Sequence, residues 1–165
     1  MNSEAKEEKY VFDNIDTLVN FLFYQYKNLS PVKLQKGLYF LYAFYAGRYS
    51  DDKESNTFPK ELFPAEFEAW TYGPVIKDVY VKYKDKEYEK SLSSFDIENE
   101  LNNIPNGAEI KSFIESLFQK IQSVSDFELV DKAQSDVVWK EAFNSEDKMI
   151  KNENIWNEYK KKFKH

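Results

Sequence analysis

The run from Ser30 to Gly47, SPVKLQKGLYFLYAFYAG, constrains this chain more than any other stretch. Ser is a good helix N-cap and Pro at the first helical position forfeits no hydrogen bond, so Ser30-Pro31 predicts a helix start. Leu34, Leu38, Leu41, Tyr42 and Tyr45 then recur at helical spacing and form a wide apolar face, which Gly47 is expected to end. A face of this width belongs in a core, and its aromatics read as packing residues. A stacking platform for single-stranded nucleic acid would need basic residues among the rings, and they are scarce here. Just upstream, Ile15, Leu18, Val19, Leu22 and Tyr26 follow the same period behind Asp13 or Asn14 as N-cap. The short linker between the two helices makes them neighbours in space.

Beyond Gly47 the pattern changes. Residues 48–64 read as a loop, with Asp51-Asp52, Pro59 and Pro64 as breakers. Asp51, Asp52 and Glu54 lack the spacing and the glycine of a calcium loop, so they read as a solvated acidic stretch. Phe67, Ala69 and Thr71 alternate with Glu68, Trp70 and Tyr72, which predicts a short β-strand or hairpin around residues 57–72 with Trp70 and Tyr72 on one face. Gly73 is expected to turn the backbone, and Pro74 to open a helix carrying Val75, Ile76, Val79, Tyr80 and Tyr83. The polar segment Lys84–Asn103 reads as a surface excursion. Asn106 with Glu109 suggests a cap for a helix on Ile110, Phe113, Ile114, Leu117, Phe118 and Ile121, and Ser125 with Glu128 matches a capping box. Ser135 is the expected cap of a turn bearing Val138, Trp139 and Phe143. A last helix is expected from about Ser145 to Phe163, with Ile150, Ile155, Trp156 and Tyr159 on it and lysines at its C-terminal end, where they oppose the helix dipole. The fold class expected is mainly α, a compact single domain over residues 11–165 behind a flexible stretch 1–10.

Composition limits the chemistry. At 165 residues and 42% apolar content the chain can bury one real core. No run approaches the ~18 apolar residues of a membrane span, and the charged N-terminus lacks an apolar signal core, so a cytoplasmic protein without a membrane partner is expected. The net charge is −6 and Arg48 is the only arginine, which argues against phosphate binding and hence against nucleic acid as a partner. An acidic surface suits a basic protein partner instead. There is no cysteine, and the only histidine is His165, the last residue, so neither the usual nucleophile–histidine devices nor common metal triads can be assembled. The four glycines are too scattered for a phosphate-cradling loop. Glu66 and Glu68 could in principle form a carboxylate pair, but two acids on one strand face are ordinarily surface charges. No catalytic residue, metal ligand or cofactor site is therefore assigned, and the chain is not expected to be an enzyme.

Three blocks carry a resemblance. KLQKGLYFLYAFYAG (Lys33–Gly47), FPAEFEAWTYGPVIKDVYVKY (Phe63–Tyr83) and LVDKAQSDVVWKEAF (Leu129–Phe143) resemble, in order and spacing, the signature blocks of the Panacea domain. This is the SocA-like antitoxin family, which includes phage-associated proteins of the GepA type. The likeness spans roughly residues 12–163, and the Trp-x-Tyr-Gly-Pro-Val step is its most specific part. The third block departs from the pattern, with Ala133-Gln134 where members often carry Thr-His or Ser-His. The resemblance implies an antitoxin that neutralises a cognate protein toxin, encoded by an adjacent gene, through direct contact. In some members it implies an adaptor that presents the toxin to a host protease. It marks Gln35, Tyr39, Trp70, Tyr72, Gly73, Pro74 and Trp139 as signature residues with structural roles.

Gln35 is polar on an otherwise apolar helix, and a buried amide must find partners, so its expected target is free backbone near residues 70–74. The aromatics of the 66–75 stretch are expected to lock that joint to the second helix. If buried, Trp70 would cost about 3–5 kcal/mol on truncation to Ala; a Trp70→Ala variant that melts like wild type but loses binding would mark it as exposed and functional. The loop with Asp51 and Asp52, and the polar face of Lys77, Asp78 and Lys82, are the candidate partner surfaces. Two other functions stay open at this point: a phage or mobile-element accessory protein that blocks a host defence protein, and a DNA-binding autorepressor.

Overall fold

The computed structural model describes residues 9–26, 28–50, 58–89, 98–99 and 101–164. Its elements are α1 (Ile15–Gln25), α2 (Pro31–Tyr49), β1 (Phe67–Trp70), β2 (Gly73–Ile76), α3 (Lys77–Lys84), a single 3-10 turn (Glu87–Glu89), α4 (Gly107–Ser123), α5 (Asp126–Gln134), α6 (Val137–Phe143), β3 (Met149–Ile150) and α7 (Asn152–Phe163). The fold is mainly α, with one small antiparallel sheet in the order β2-β1-β3.

The helix starts follow capping chemistry. Asn14 accepts from the Asp16 N–H, Ser30 from Lys33 with Pro31 behind it, and Ser125 from Glu128. The second helix is the centre of the molecule. Leu34, Leu38, Tyr39, Leu41, Tyr42 and Tyr45 are all buried, and α2 packs on α7, α4, α5 and β2. Its tyrosines also tie down the chain that follows. The Tyr42 hydroxyl donates to Glu61 Oε1 at 2.7 Å and the Tyr45 hydroxyl to the Pro59 carbonyl at 2.7 Å. Burial pushes both hydroxyls far above the usual tyrosine pKa, so they stay protonated donors.

Several sequence expectations give way. Gly47 does not end α2, which runs to Tyr49; it is a contact glycine, because a Cβ there would lie 2.4 Å from the Phe163 ring and 2.8 Å from the Tyr159 carbonyl. Asn106 does not cap α4 with its side chain; its φ of 66° places it in the left-handed region, which Asn tolerates, whereas an N-cap takes extended backbone. Ser135 closes α5 by donating to the Lys132 carbonyl. The first N–H groups of α6, at Val137 and Val138, are held instead by the Glu158 carboxylate of α7, at 3.1 and 2.9 Å. Ile150 leaves the last helix for β3, pairing with Phe67. At the N-terminus, residues 1–8 lie outside the described residues. Lys9 and Tyr10 are already pinned: the Lys9 carbonyl accepts from Glu61, and Val11 and Phe12 donate to Glu61 and Leu62.

Pro74 is the main correction. It lies inside β2 and opens no helix; α3 starts three residues later, at Lys77. The register explains how a strand accepts it. The Ala69 N–H donates to Lys148 on the β3 side, so Ala69 turns its backbone polar groups away from β2. Its partner across the pair is Pro74, a position where no hydrogen bond is exchanged and a missing N–H costs nothing.

Candidate functional site

The same register leaves β2 as an edge strand whose outward polar groups are the carbonyls of Pro74 and Ile76 and the Ile76 N–H. An open edge of this kind invites pairing with another chain. Here α2 closes it with side chains. Gln35 takes Ile76 in a two-point grip, donating from Nε2 to the carbonyl at 3.2 Å and accepting the N–H on Oε1 at 2.9 Å. Lys36 donates from Nζ to the Pro74 carbonyl at 3.1 Å. The amide expected to hold residues 70–74 thus holds Ile76, two residues further on, because the free backbone belongs to a strand edge and not to a strand-to-helix turn.

The tip of the hairpin is held from the other side. Trp139 Nε1 on α6 donates to the Trp70 carbonyl at 2.9 Å, and Gln134 Nε2 at the end of α5 donates to the Thr71 carbonyl at 2.9 Å. Five hydrogen bonds from four side chains therefore fix the backbone of residues 70–76 from outside. Gly73 is required at this turn. Its φ of 115° is a glycine conformation, and a Cβ would lie 2.8 Å from Lys36 Cε.

The side chains of the hairpin divide by face. Phe67 and Ala69 are buried in the core. Trp70 is half-buried but is no part of that core: its indole N–H donates to Glu68 Oε1 at 2.8 Å, and the Tyr80 ring packs edge-on at 5.1 Å. Val75, paired opposite Glu68, is buried but also outside the core cluster. Tyr72, at the tip, is 69% exposed. The expectation that these aromatics lock the joint to α2 is therefore corrected: Gln35 and Lys36 do that through the backbone, and Trp70 and Tyr72 face outward. Met149, paired opposite Glu68, adds a partly exposed apolar side chain to the same face.

Two other groups of residues frame this surface. Tyr39 points the opposite way, into a buried polar knot, donating to Asp136 Oδ2 at 2.6 Å beside the Tyr159 hydroxyl at 2.5 Å. Lys162 Nζ reaches Asp136 Oδ1 at 2.7 Å, so this lysine of the C-terminal run serves an internal carboxylate. Sequence reasoning missed Asp136, and only its flanks, Ser135 and Trp139, drew notice. Of the candidate partner surfaces, Asp51 and Asp52 lie outside the described residues. Lys77 and Asp78 are exposed on the first turn of α3. Lys82 is engaged in an ion pair with Asp16 in a shallow polar cleft of about 110 Å³, where the Tyr88 hydroxyl donates to the same carboxylate at 2.7 Å. Thus Asp78 and Lys82 belong to the α1–α3 side, apart from the hairpin face.

Among the described residues no group of three or more His, Cys, Asp or Glu side chains is arranged to hold a metal ion, and no helix is long and apolar enough to cross a membrane. The chain matches no protein-family model, no curated protein and no solved structure.

Proposed function

We propose that this protein is an antitoxin-like binding protein that neutralises a cognate protein toxin, encoded by an adjacent gene, by direct contact through the outer face of the β1–β2 hairpin. Its output is binding, not turnover. The observation that carries the reading is the division of labour in the hairpin: the backbone of residues 70–76 is fixed from outside while the half-buried Trp70 and the exposed Tyr72 lie outside the core. Binding loses less entropy when the contact surface is already ordered, and Trp and Tyr are the side chains on which interface energy concentrates. The resemblance of the same stretch to the Panacea signature supports the class of partner, and the net charge of −6 suits a basic one.

The test is co-expression with the product of the neighbouring gene. Tyr72→Ala and Trp70→Ala should keep the far-UV circular dichroism spectrum of the wild type and lose growth rescue, whereas Asp78→Ala should rescue fully. Full rescue by the Trp70→Ala, Tyr72→Ala double variant would overturn the assignment of this face.

A further inference from the structure

The chemistry of the hairpin face points to a particular kind of contact. We infer that it receives an arginine-bearing segment of the partner, the guanidinium lying on the Trp70 and Tyr72 rings and paired with the Glu66 and Glu68 carboxylates. This rests on the reading above that the face is the partner-binding surface, and adds what the partner must present there.

The strand period supplies the juxtaposition. With Phe67 and Ala69 turned into the core, Glu66, just before β1, Glu68 and Trp70 fall on the outer side, and Glu66 is exposed. Glu68 commits Oε1 to the Trp70 indole N–H, and its second oxygen has no partner among the described residues. A carboxylate at the edge of an indole, where the ring is electropositive, leaves the electron-rich ring face for a cation. Tyr72 offers a second ring at the tip.

Two of the cations around this face are committed elsewhere. Lys36 lies beneath the hairpin, only 2% exposed and bonded to the Pro74 carbonyl. Lys148 donates to the Phe143 carbonyl at 2.7 Å and sits over the Phe143 ring. Lys77, one residue past β2, and Lys151, one residue past β3, are exposed. An acidic segment would meet Glu66 and Glu68, and a purely apolar one would cover the Glu68 carboxylate without pairing it, so both are disfavoured. Arginine suits the site better than lysine because a planar guanidinium stacks on a ring while still reaching a carboxylate at its edge.

The experiment is a two-dimensional amide NMR titration of the full chain with short acetylated peptides repeating Arg-Ala-Gly, Lys-Ala-Gly or Glu-Ala-Gly. Each tryptophan indole N–H reports separately. The arginine peptide should give saturable shifts at the Trp70 indole and at residues 66–73. The lysine peptide should bind about threefold more weakly and the glutamate peptide should leave these signals unmoved. Glu68→Gln should weaken the arginine peptide about fivefold, and Lys77→Glu, which leaves the hairpin intact, should tighten it about twofold. Equal shifts from the glutamate peptide, or arginine shifts that spread over the acidic surface without saturating, would overturn the inference. So would binding indifferent to both Glu68→Gln and Lys77→Glu. The growth-rescue assay separates the two levels. If Tyr72→Ala and Trp70→Ala abolish rescue while the peptides show no charge preference, the guanidinium inference fails and the binding face stands. If the arginine peptide binds as described and the double variant still rescues, guanidinium binding stands and the toxin-binding role of the face fails.

Discussion

Lys36 and Tyr39 stand one turn apart on α2, and each belongs to a site with a buried ionisable group, but the two sites are built in opposite ways. Tyr39 ends on Asp136, which is 1% exposed and receives three donors, the hydroxyls of Tyr39 and Tyr159 and the Lys162 ammonium. Lys36 carries its own charge to a single neutral acceptor, the Pro74 carbonyl. Burial with no carboxylate beside it pushes its pKa down to about 8. The first site is an anchor between α2, α6 and α7 in which every member has a partner. The second is a clamp on the hairpin edge that holds its charge at a cost.

The largest effect expected is at the anchor. Asp136→Ala would leave two buried tyrosine hydroxyls without their acceptor and cut Lys162 loose from α6. It should lower stability in urea by about 3–5 kcal/mol at neutral pH. Asp136→Asn, which keeps an acceptor, should recover part of that loss. A loss under about 1 kcal/mol for the alanine variant would mean the knot ties nothing together.

At the hairpin edge, the neutral neighbour should matter more than the charged one. Gln35→Ala leaves both the donor and the acceptor of Ile76 buried and unpaired, for an expected loss of about 2–3 kcal/mol in urea unfolding. Lys36 is tested by pH instead. Its folded pKa of about 8 lies below the ordinary 10.5, so between those values the unfolded chain holds a proton that the folded chain has released. Stability should therefore rise with pH, by about 2 kcal/mol between pH 7.5 and 9.5. Above pH 10 the trend should reverse, because the hydroxyls of Tyr39, Tyr42, Tyr45, Tyr88 and Tyr159 are held protonated in the folded state, mainly by burial, and ionise only once unfolded. Lys36→Met should flatten the rise and leave the fall. A wild-type urea midpoint that does not climb over this window would show that the ammonium is relieved by something other than the Pro74 carbonyl.

These contrasts also mark what could be read from the sequence. Helix starts with a side-chain cap, at Asn14, Ser30 and Ser125, were legible because the cap and its target lie within three residues of each other. The faces of β1 were legible because alternation is local. What escaped was set by distant partners. Pro74 looks like a helix start until Ala69 is seen to pair with Lys148, and Gly47 looks like a helix stop until Phe163 lies against it. The cap of α6 comes from Glu158, some twenty residues on, and no local pattern announces it. Gln35 was singled out because a polar residue on an apolar face needs an explanation. Asp136 escaped because an acid at the head of a helix needs none, and only its three donors show that it is buried for another purpose.

The smallest effect on stability, and the most informative, is expected at Trp70. Among the tryptophans, Trp139 and Trp156 pack against the core, whereas Trp70 lies outside it, against the Tyr80 ring. Truncation to Ala removes rings from a solvent-facing surface and frees Glu68, and leaves untouched the hydrogen bond that Trp139 makes to the residue 70 carbonyl. The loss in urea should be about 1 kcal/mol or less, well short of the ~3–5 kcal/mol of a core tryptophan. Trp139→Phe, which keeps a ring but removes the donor to that carbonyl, should cost as much or more in stability. If Trp70→Ala instead unfolds the chain like a core truncation, the outer face is structural after all, and the partner must be sought elsewhere. If it melts near the wild type and fails to rescue growth, the hairpin separates the two tasks as its bonding suggests, with its main chain serving the fold and its aromatic side chains serving the partner.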